Sequence, residues 1–190
     1  MRFKEFSEAV TPPEGETFAM KVYRAMQAAD DYAAQRSTTG GATANAPAGA
    51  DAAINIRGGA GAGGVDPKQV ASYLKSKGMD NNHVLGILAN IKGESGFNPG
   101  IAGDGGASVG FFQYNASRRK NMINFVGSDW ATDWKGQIDF ALSEPEGQRY
   151  LSTRFSTPAE ATEWWTRYFE RPKYASADVQ KRVGFLSQFT

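Results

Sequence analysis

Between Asn81 and Ile91 the chain carries Val84, Leu85, Ile87, Leu88 and Ile91. On a helix of about 3.6 residues per turn these five cover more than half the circumference. Such a helix has to be enclosed, so the other elements must wrap around it. The spacing predicts a central helix capped by Asp80 and running to about Lys92. The chain then changes character. Residues 92–114 read K-G-E-S-G-F-N-P-G-I-A-G-D-G-G-A-S-V-G-F-F-Q-Y. The glycines from Gly100 to Gly110 exclude a regular helix and predict a loop or short hairpin forming one wall of a cleft.

Glu94 continues the row Ile87, Ile91, Glu94 at spacings of four and three. This places a carboxylate on a buried face at a helix C-terminus. Burial removes water from the charge, and the helix dipole is negative at that end, so both disfavour ionisation. The direction is toward a raised pKa, which a general acid needs near neutral pH. Asp104, in the glycine-rich turn, is a second carboxylate.

Elsewhere the elements are short and capped. Asp66-Pro67 starts a helix with Val70, Tyr73 and Leu74 on its apolar face, and Gly78 stops it. Asn115 opens a helix to Val126, with Met122, Ile123 and Val126 inward and Arg118, Arg119 and Lys120 on a solvated face. Asp133 opens another through about Glu144, which Pro145 ends. Thr157-Pro158-Ala159-Glu160 forms a capping box. Trp164, Trp165, Tyr168 and Phe169 follow at helical spacing, so Trp164 and Trp165 read as core, and Arg171 before Pro172 ends that helix. A last helix from about Ser176 carries Val179, Val183, Leu186 and Phe189. His83, in a first helical turn, reads as a surface residue, and Glu170 as a partner of Arg171 or Lys173.

Upstream, Pro13 to about Arg36 predicts a helix with Phe18, Val22, Met26, Ala29 and Ala33 on one face. Seventeen of the 28 residues from 37 to 64 are Gly or Ala, a composition that cannot offset its ordering entropy and reads as a flexible linker. The expected organisation is therefore residues 1–36 with one helix, a Gly/Ala-rich linker over 37–64, and a mainly α domain over 65–190 with at most a small β-hairpin.

Composition narrows the chemistry. The chain has no cysteine and a single histidine, which rules out thiolate catalysis and disulfides and argues against a zinc site. No cofactor or metal is called for. A formal net charge of +1 gives no argument for nucleic acid as a partner. No apolar run approaches a membrane span, and the charged start M-R-F-K-E-F-S-E has no apolar signal-peptide region.

G-E-S-G-F-N-P at 93–99, G-D-G-G-A-S-V-G-F-F-Q-Y at 103–114 and F-E-R-P at 169–172 together resemble the phage tail lysozyme family, related to goose-type lysozymes and lytic transglycosylases. The resemblance covers about Val65 to the C-terminus. It implies a lysozyme-like helical fold on a virion tail, made in the host cytoplasm and acting on the host envelope, where it cuts peptidoglycan glycan strands. The family's catalytic glutamate falls on Glu94. Its G-x-x-Q-aromatic segment falls on Gly110, Gln113 and Tyr114, with Phe111 in place of the usual Leu and Tyr114 in place of the usual Trp.

The expected reaction is cleavage between N-acetylmuramic acid and N-acetylglucosamine, with Glu94 protonating the departing oxygen. Two completions stay open. Asp104 acts as base for a water, giving hydrolysis, or the sugar's own hydroxyl attacks and leaves an anhydro end. Ser95, Ser108, Gly110 and Gln113 are the expected contacts to the sugar's polar groups, and Tyr114 the expected ring platform. Two other readings compete: a wall-binding or structural tail module without activity, and a tether whose main business is docking residues 1–36 on tail or baseplate proteins.

Overall fold

The computed structural model describes residues 54–189. The helix expected over Pro13–Arg36 and the first part of the linker lie outside the described residues. The fold is mainly helical. It contains α1 (Pro67–Ser76), α2 (Asn81–Ser95), α3 (Ala116–Val126), α4 (Trp134–Ser143), α5 (Pro145–Ser152), α6 (Pro158–Trp164) and α7 (Ala175–Gly184). A two-stranded antiparallel hairpin joins α2 to α3, pairing β1 (Ala102–Gly103) with β2 (Ser108–Val109).

The helix starts follow their capping residues. Asp66 accepts from the Lys68 N–H at 2.9 Å, Asp80 from His83 at 3.0 Å and Asp133 from Gly136 at 2.9 Å. These bonds satisfy amides that a helix leaves without partners. The Thr157 hydroxyl accepts from Glu160 N–H at 3.2 Å, while the Glu160 carboxylate reaches back to the Ser156 N–H at 2.8 Å. Pro145 does more than end α4. It is the first residue of α5, where a missing N–H costs nothing.

α2 is the enclosed helix. Val84, Ile87, Leu88, Ala89 and Ile91 are fully buried, and α6 makes the most extensive contact with it. That contact is close because Gly86 has no side chain: a Cβ there would lie 2.9 Å from the Ala161 backbone. Asn90 ties the two helices, donating to Gly86 O at 2.9 Å and Thr162 O at 3.2 Å and accepting from the Thr166 hydroxyl at 2.9 Å. A buried amide has to be bonded in this way, because an unpaired one loses its water without compensation.

His83 is buried, not at the surface. Its Nδ1 meets Asp80 at 2.7 Å, and its Nε2 lies 3.1 Å from Tyr150 O and 3.0 Å from Thr153 O. Helix α5, which the sequence reading did not foresee, supplies the first of those carbonyls, and Thr153 just past its end supplies the second.

Residues 54–64 lack regular structure but lie against the domain. Ile56 is buried in the core, Arg57 N–H donates to Gln188 O at 2.8 Å, and Gly61 N–H to Gly96 O at 3.1 Å. Val65 N–H then donates to Phe97 O at 2.8 Å.

Candidate active site

Glu94 occupies the last turn of α2. Immediately after it the chain reverses through two left-handed residues, Gly96 at φ 58° and Phe97 at φ 69°. That conformation strains a residue with a side chain and persists only when its surroundings hold it. Here the fully buried Phe97 ring packs edge-on against Phe189, and the Val65 N–H bonds its carbonyl. The reversal leaves Glu94 at the edge of the core. Its side chain is 18% exposed, so it is neither in bulk water nor sealed from it.

The charges around Glu94 come from three places. Helix α7 contributes Arg182, Asp178 and Lys181, and the hairpin turn contributes Asp104. Glu170 closes the stretch Trp165–Glu170, where α6 continues as a π-turn. Burial is the largest influence on Glu94 and pushes its carboxyl above the ordinary range. Arg182 opposes that rise, Asp178 adds to it, Lys181 opposes it, and Asp104 adds a smaller push. The direction therefore agrees with the sequence reading, which had overlooked the cation beside the acid.

Glu170 is held well above the usual carboxylate range, first by burial and then by the negative charge of Glu94. It pairs with neither Arg171 nor Lys173. Its Oε1 accepts from the Trp165 indole N–H at 3.0 Å, and Arg171 reaches Glu146 instead.

The other residues singled out in the sequence fall into two groups. Asp104 is exposed on the hairpin turn at φ 51°, and its carboxylate accepts from the Ser108 hydroxyl at 2.8 Å. The remaining residues hold the wall together. The Ser95 hydroxyl bonds Ile91 O at 3.1 Å within its own helix. Gln113, part-buried at φ 46°, donates to Gly110 O at 3.0 Å. Gly110, at φ 82°, lies so near Gln137 that a Cβ would sit 2.5 Å from its Oε1.

Tyr114 is a core residue rather than a platform open to a sugar. It is 1% exposed and packs edge-on against Phe140 at 5.2 Å and Phe112 at 6.0 Å. Its aromatic spacing after Gly110 is equally explained by core packing. The Arg118 guanidinium covers the Tyr114 ring at 4.8 Å and the Phe169 ring at 4.5 Å, and forks onto Glu144 at 2.9 and 2.6 Å. Arg118 thus leaves the solvated face expected for it.

Gln137 was missed in the sequence. It is fully buried in α4, accepts from Phe111 N–H at 2.7 Å, and donates to Pro99 O at 2.9 Å and Trp130 O at 2.5 Å. One amide thereby ties both ends of the loop that carries the hairpin to the helical body. Its signal was a polar side chain one residue before Ile138 on a buried helix.

An open groove of about 630 Å³ lies elsewhere, between α1 and α4, lined by Lys68, Gln69, Ser72, Tyr73, Trp134 and Lys135. None of the residues nominated above lines it. Among the described residues, no group of three His, Cys, Asp or Glu side chains is placed to hold a metal ion, and no helix is long and apolar enough to cross a membrane.

The arrangement is a single half-buried acid at the end of an enclosed helix, with a glycine hairpin following it. A family model described as phage tail lysozyme matches residues 66–184. The chain belongs to the phage tail lysozyme family. The chain is accordingly a phage lysozyme-like hydrolase directed at peptidoglycan. No curated protein and no solved structure matches the chain significantly.

Proposed function

We propose that this domain cuts the N-acetylmuramic acid–N-acetylglucosamine bond of peptidoglycan with Glu94 as general acid, opening the wall locally as a phage tail penetrates. The observation that carries the reading is the state of Glu94. Its carboxyl is part-buried, reachable, and held above the ordinary range by burial. Burial that favours the protonated carboxyl suits the transfer of a proton to a departing sugar oxygen, and the family match supplies the substrate class.

In the hydrolytic form of the reaction, Glu94 gives its proton to the leaving oxygen, and Asp104 takes a proton from a water attacking the oxocarbenium-like centre. Asp104 is exposed on the hairpin and acts weakly on Glu94 electrostatically, which supports placing it at the same site. One observation favours the second form. The Asp104 carboxylate already accepts the Ser108 hydroxyl, so one of its oxygens is engaged before any water arrives. In that form the sugar's own hydroxyl attacks and Glu94 serves as both acid and base.

Mass spectrometry of the soluble muropeptides separates the readings. Reducing muramic ends support hydrolysis, anhydro ends support transglycosylation, and uncut strands leave a wall-binding module. The Glu94→Gln variant keeps the side chain's shape and removes the proton; continued wall clearing by it would refute the acid assignment. Residues 1–36 are proposed as the dock to tail or baseplate proteins, with 37–53 as the leash, since 54–64 lie against the domain. Failure of a 1–36 peptide to capture any tail component from purified virions would count against that dock.

A further inference from the structure

We propose that Arg182 is the positioning residue of this site: its guanidinium, seated on the bare backbone of Gly93 and tied to the Asn90 carbonyl, holds the Glu94 carboxyl in its working orientation. The inference rests on Glu94 being the acid and extends that reading to how the acid is aimed.

Four observations converge on Arg182. It is 5% exposed, which is rare for an arginine and demands local partners. Nη1 donates to Asn90 O at 3.0 Å, and Nη2 bonds and ion-pairs with Glu94 Oε1. A Cβ on Gly93 would overlap Nη1 and lie 2.9 Å from Cζ. Gly93 therefore has no side chain because the guanidinium occupies that space. Gly93 is within α2 and is not at positive φ, so its backbone conformation gives no reason for glycine, and alanine is the better helix former.

The other charged groups facing Glu94 are Asp178 and Lys181 on the same helix as Arg182, Asp104 on the hairpin, and Glu170 at the end of the π-turn. Among the described residues only Arg182 forms an ion pair with it. A flexible acid at a helix end has several rotamers. A planar guanidinium fixed at one nitrogen by a backbone carbonyl leaves its carboxylate partner one preferred geometry. The same cation favours the ionised form, so the site gives up some proton affinity for a fixed aim.

The test measures kcat and KM on purified peptidoglycan across pH, using the full chain. Arg182→Gln removes the anchor. The expected result is a loss in kcat of about 10²-fold with little change in KM, since a misaimed group of about 1 Å costs that much. The alkaline limb of the rate profile moves to higher pH, because a cation that favoured ionisation is gone. Gly93→Ala leaves Arg182 in the chain but takes its seat, and should reproduce both changes. In the double variant the second substitution should add almost nothing. Arg182→Lys keeps the charge without the fork, and should recover the limb's position but not the full rate.

A purely structural arginine would lower the melting temperature and leave the limb unmoved. That result, or an Arg182→Gln rate within a few-fold of the parent, overturns the proposal. If Arg182→Gln does not fold, Gly93→Ala and Arg182→Lys decide it by the same readouts. Glu94→Gln is run alongside. If it stays active, the acid reading itself fails; if it is dead while Arg182→Gln behaves as the parent, only the positioning role fails.

Discussion

The Trp165 indole N–H donates to the Glu170 carboxylate five residues later, at 3.0 Å, across the one stretch of the described chain wound as a π-turn. Side chains five apart come into register when a helix widens in this way, and such turns gather at functional sites. The bond holds a carboxyl that burial, and then the charge of Glu94, push well above its ordinary range.

A pH dependence of stability follows. Glu170 and Glu94 both bind their protons more tightly in the folded chain than in the unfolded one. Their contribution is complete below the ordinary glutamate range, about 4.3, and is lost as pH rises through their raised native values. The unfolding free energy of the parent should fall as pH climbs out of the acid range. Glu170→Gln keeps an acceptor for Trp165 and has no proton to lose, so its urea midpoint should fall less steeply. Parallel curves for parent and variant would contradict this assignment.

Gln137→Ala should destabilise the domain and cripple lysis together. The substitution strands the Phe111 N–H and two carbonyls that the amide now serves, each an unmet buried group costing roughly 1–3 kcal/mol. The hairpin loses its attachment to α4 at the same time. Urea denaturation and turbidity clearing on walls provide the two readouts; an active variant of parental stability would show the tie to be dispensable.

Tyr114→Phe separates a core residue from a sugar platform. The Tyr114 hydroxyl is buried beside the Glu144 carboxylate without a well-formed hydrogen bond to it. Deleting it should leave lysis unchanged and hold or raise stability, by up to about 1 kcal/mol. A marked rise in KM would instead put the tyrosine in contact with glycan.

Truncation tests where the domain begins. Removing residues 1–53 should leave the melting temperature of the remainder near the parental value. Removing residues 1–64 also takes Ile56 out of the core and breaks the backbone bonds to Gln188 and Gly96. Burying an isoleucine side chain is worth about 1.5–3 kcal/mol, so the shorter chain should melt clearly lower. Equal melting of the two truncations would mean that the packed strap adds nothing.

The pattern that could be read in advance was the one written in apolar spacing and caps. Val84, Ile87, Leu88 and Ile91 announced the enclosed helix, and Asp66, Asp80, Asp133 and Thr157 announced the helix starts, because both signals are local. Gly100–Gly110 announced an irregular wall for the same reason. Polar residues in the core were illegible. Asn90, Gln137 and Arg182 each stand beside or among apolar neighbours on a helix, and nothing local says which distant carbonyl or carboxylate will meet them. His83 was misplaced because α5 covers it, and α5 was hidden behind a proline read only as a stop. Glu94 was found from its row of neighbours, whereas its partner lies 88 residues away and left its trace only in the missing side chain of Gly93.

The strap of residues 54–64 gives the lysozyme a mechanical property. Its amides are fastened to Gly96 and, through Val65, to Phe97, the two residues that turn the chain just after Glu94. Tension arriving from the N-terminal side would meet Ile56 in the core and the bonds to Gln188 first, and the turn at Gly96 and Phe97 only after those had given way. The turn that supports Glu94 is thus shielded from such a load until the outer fastenings part.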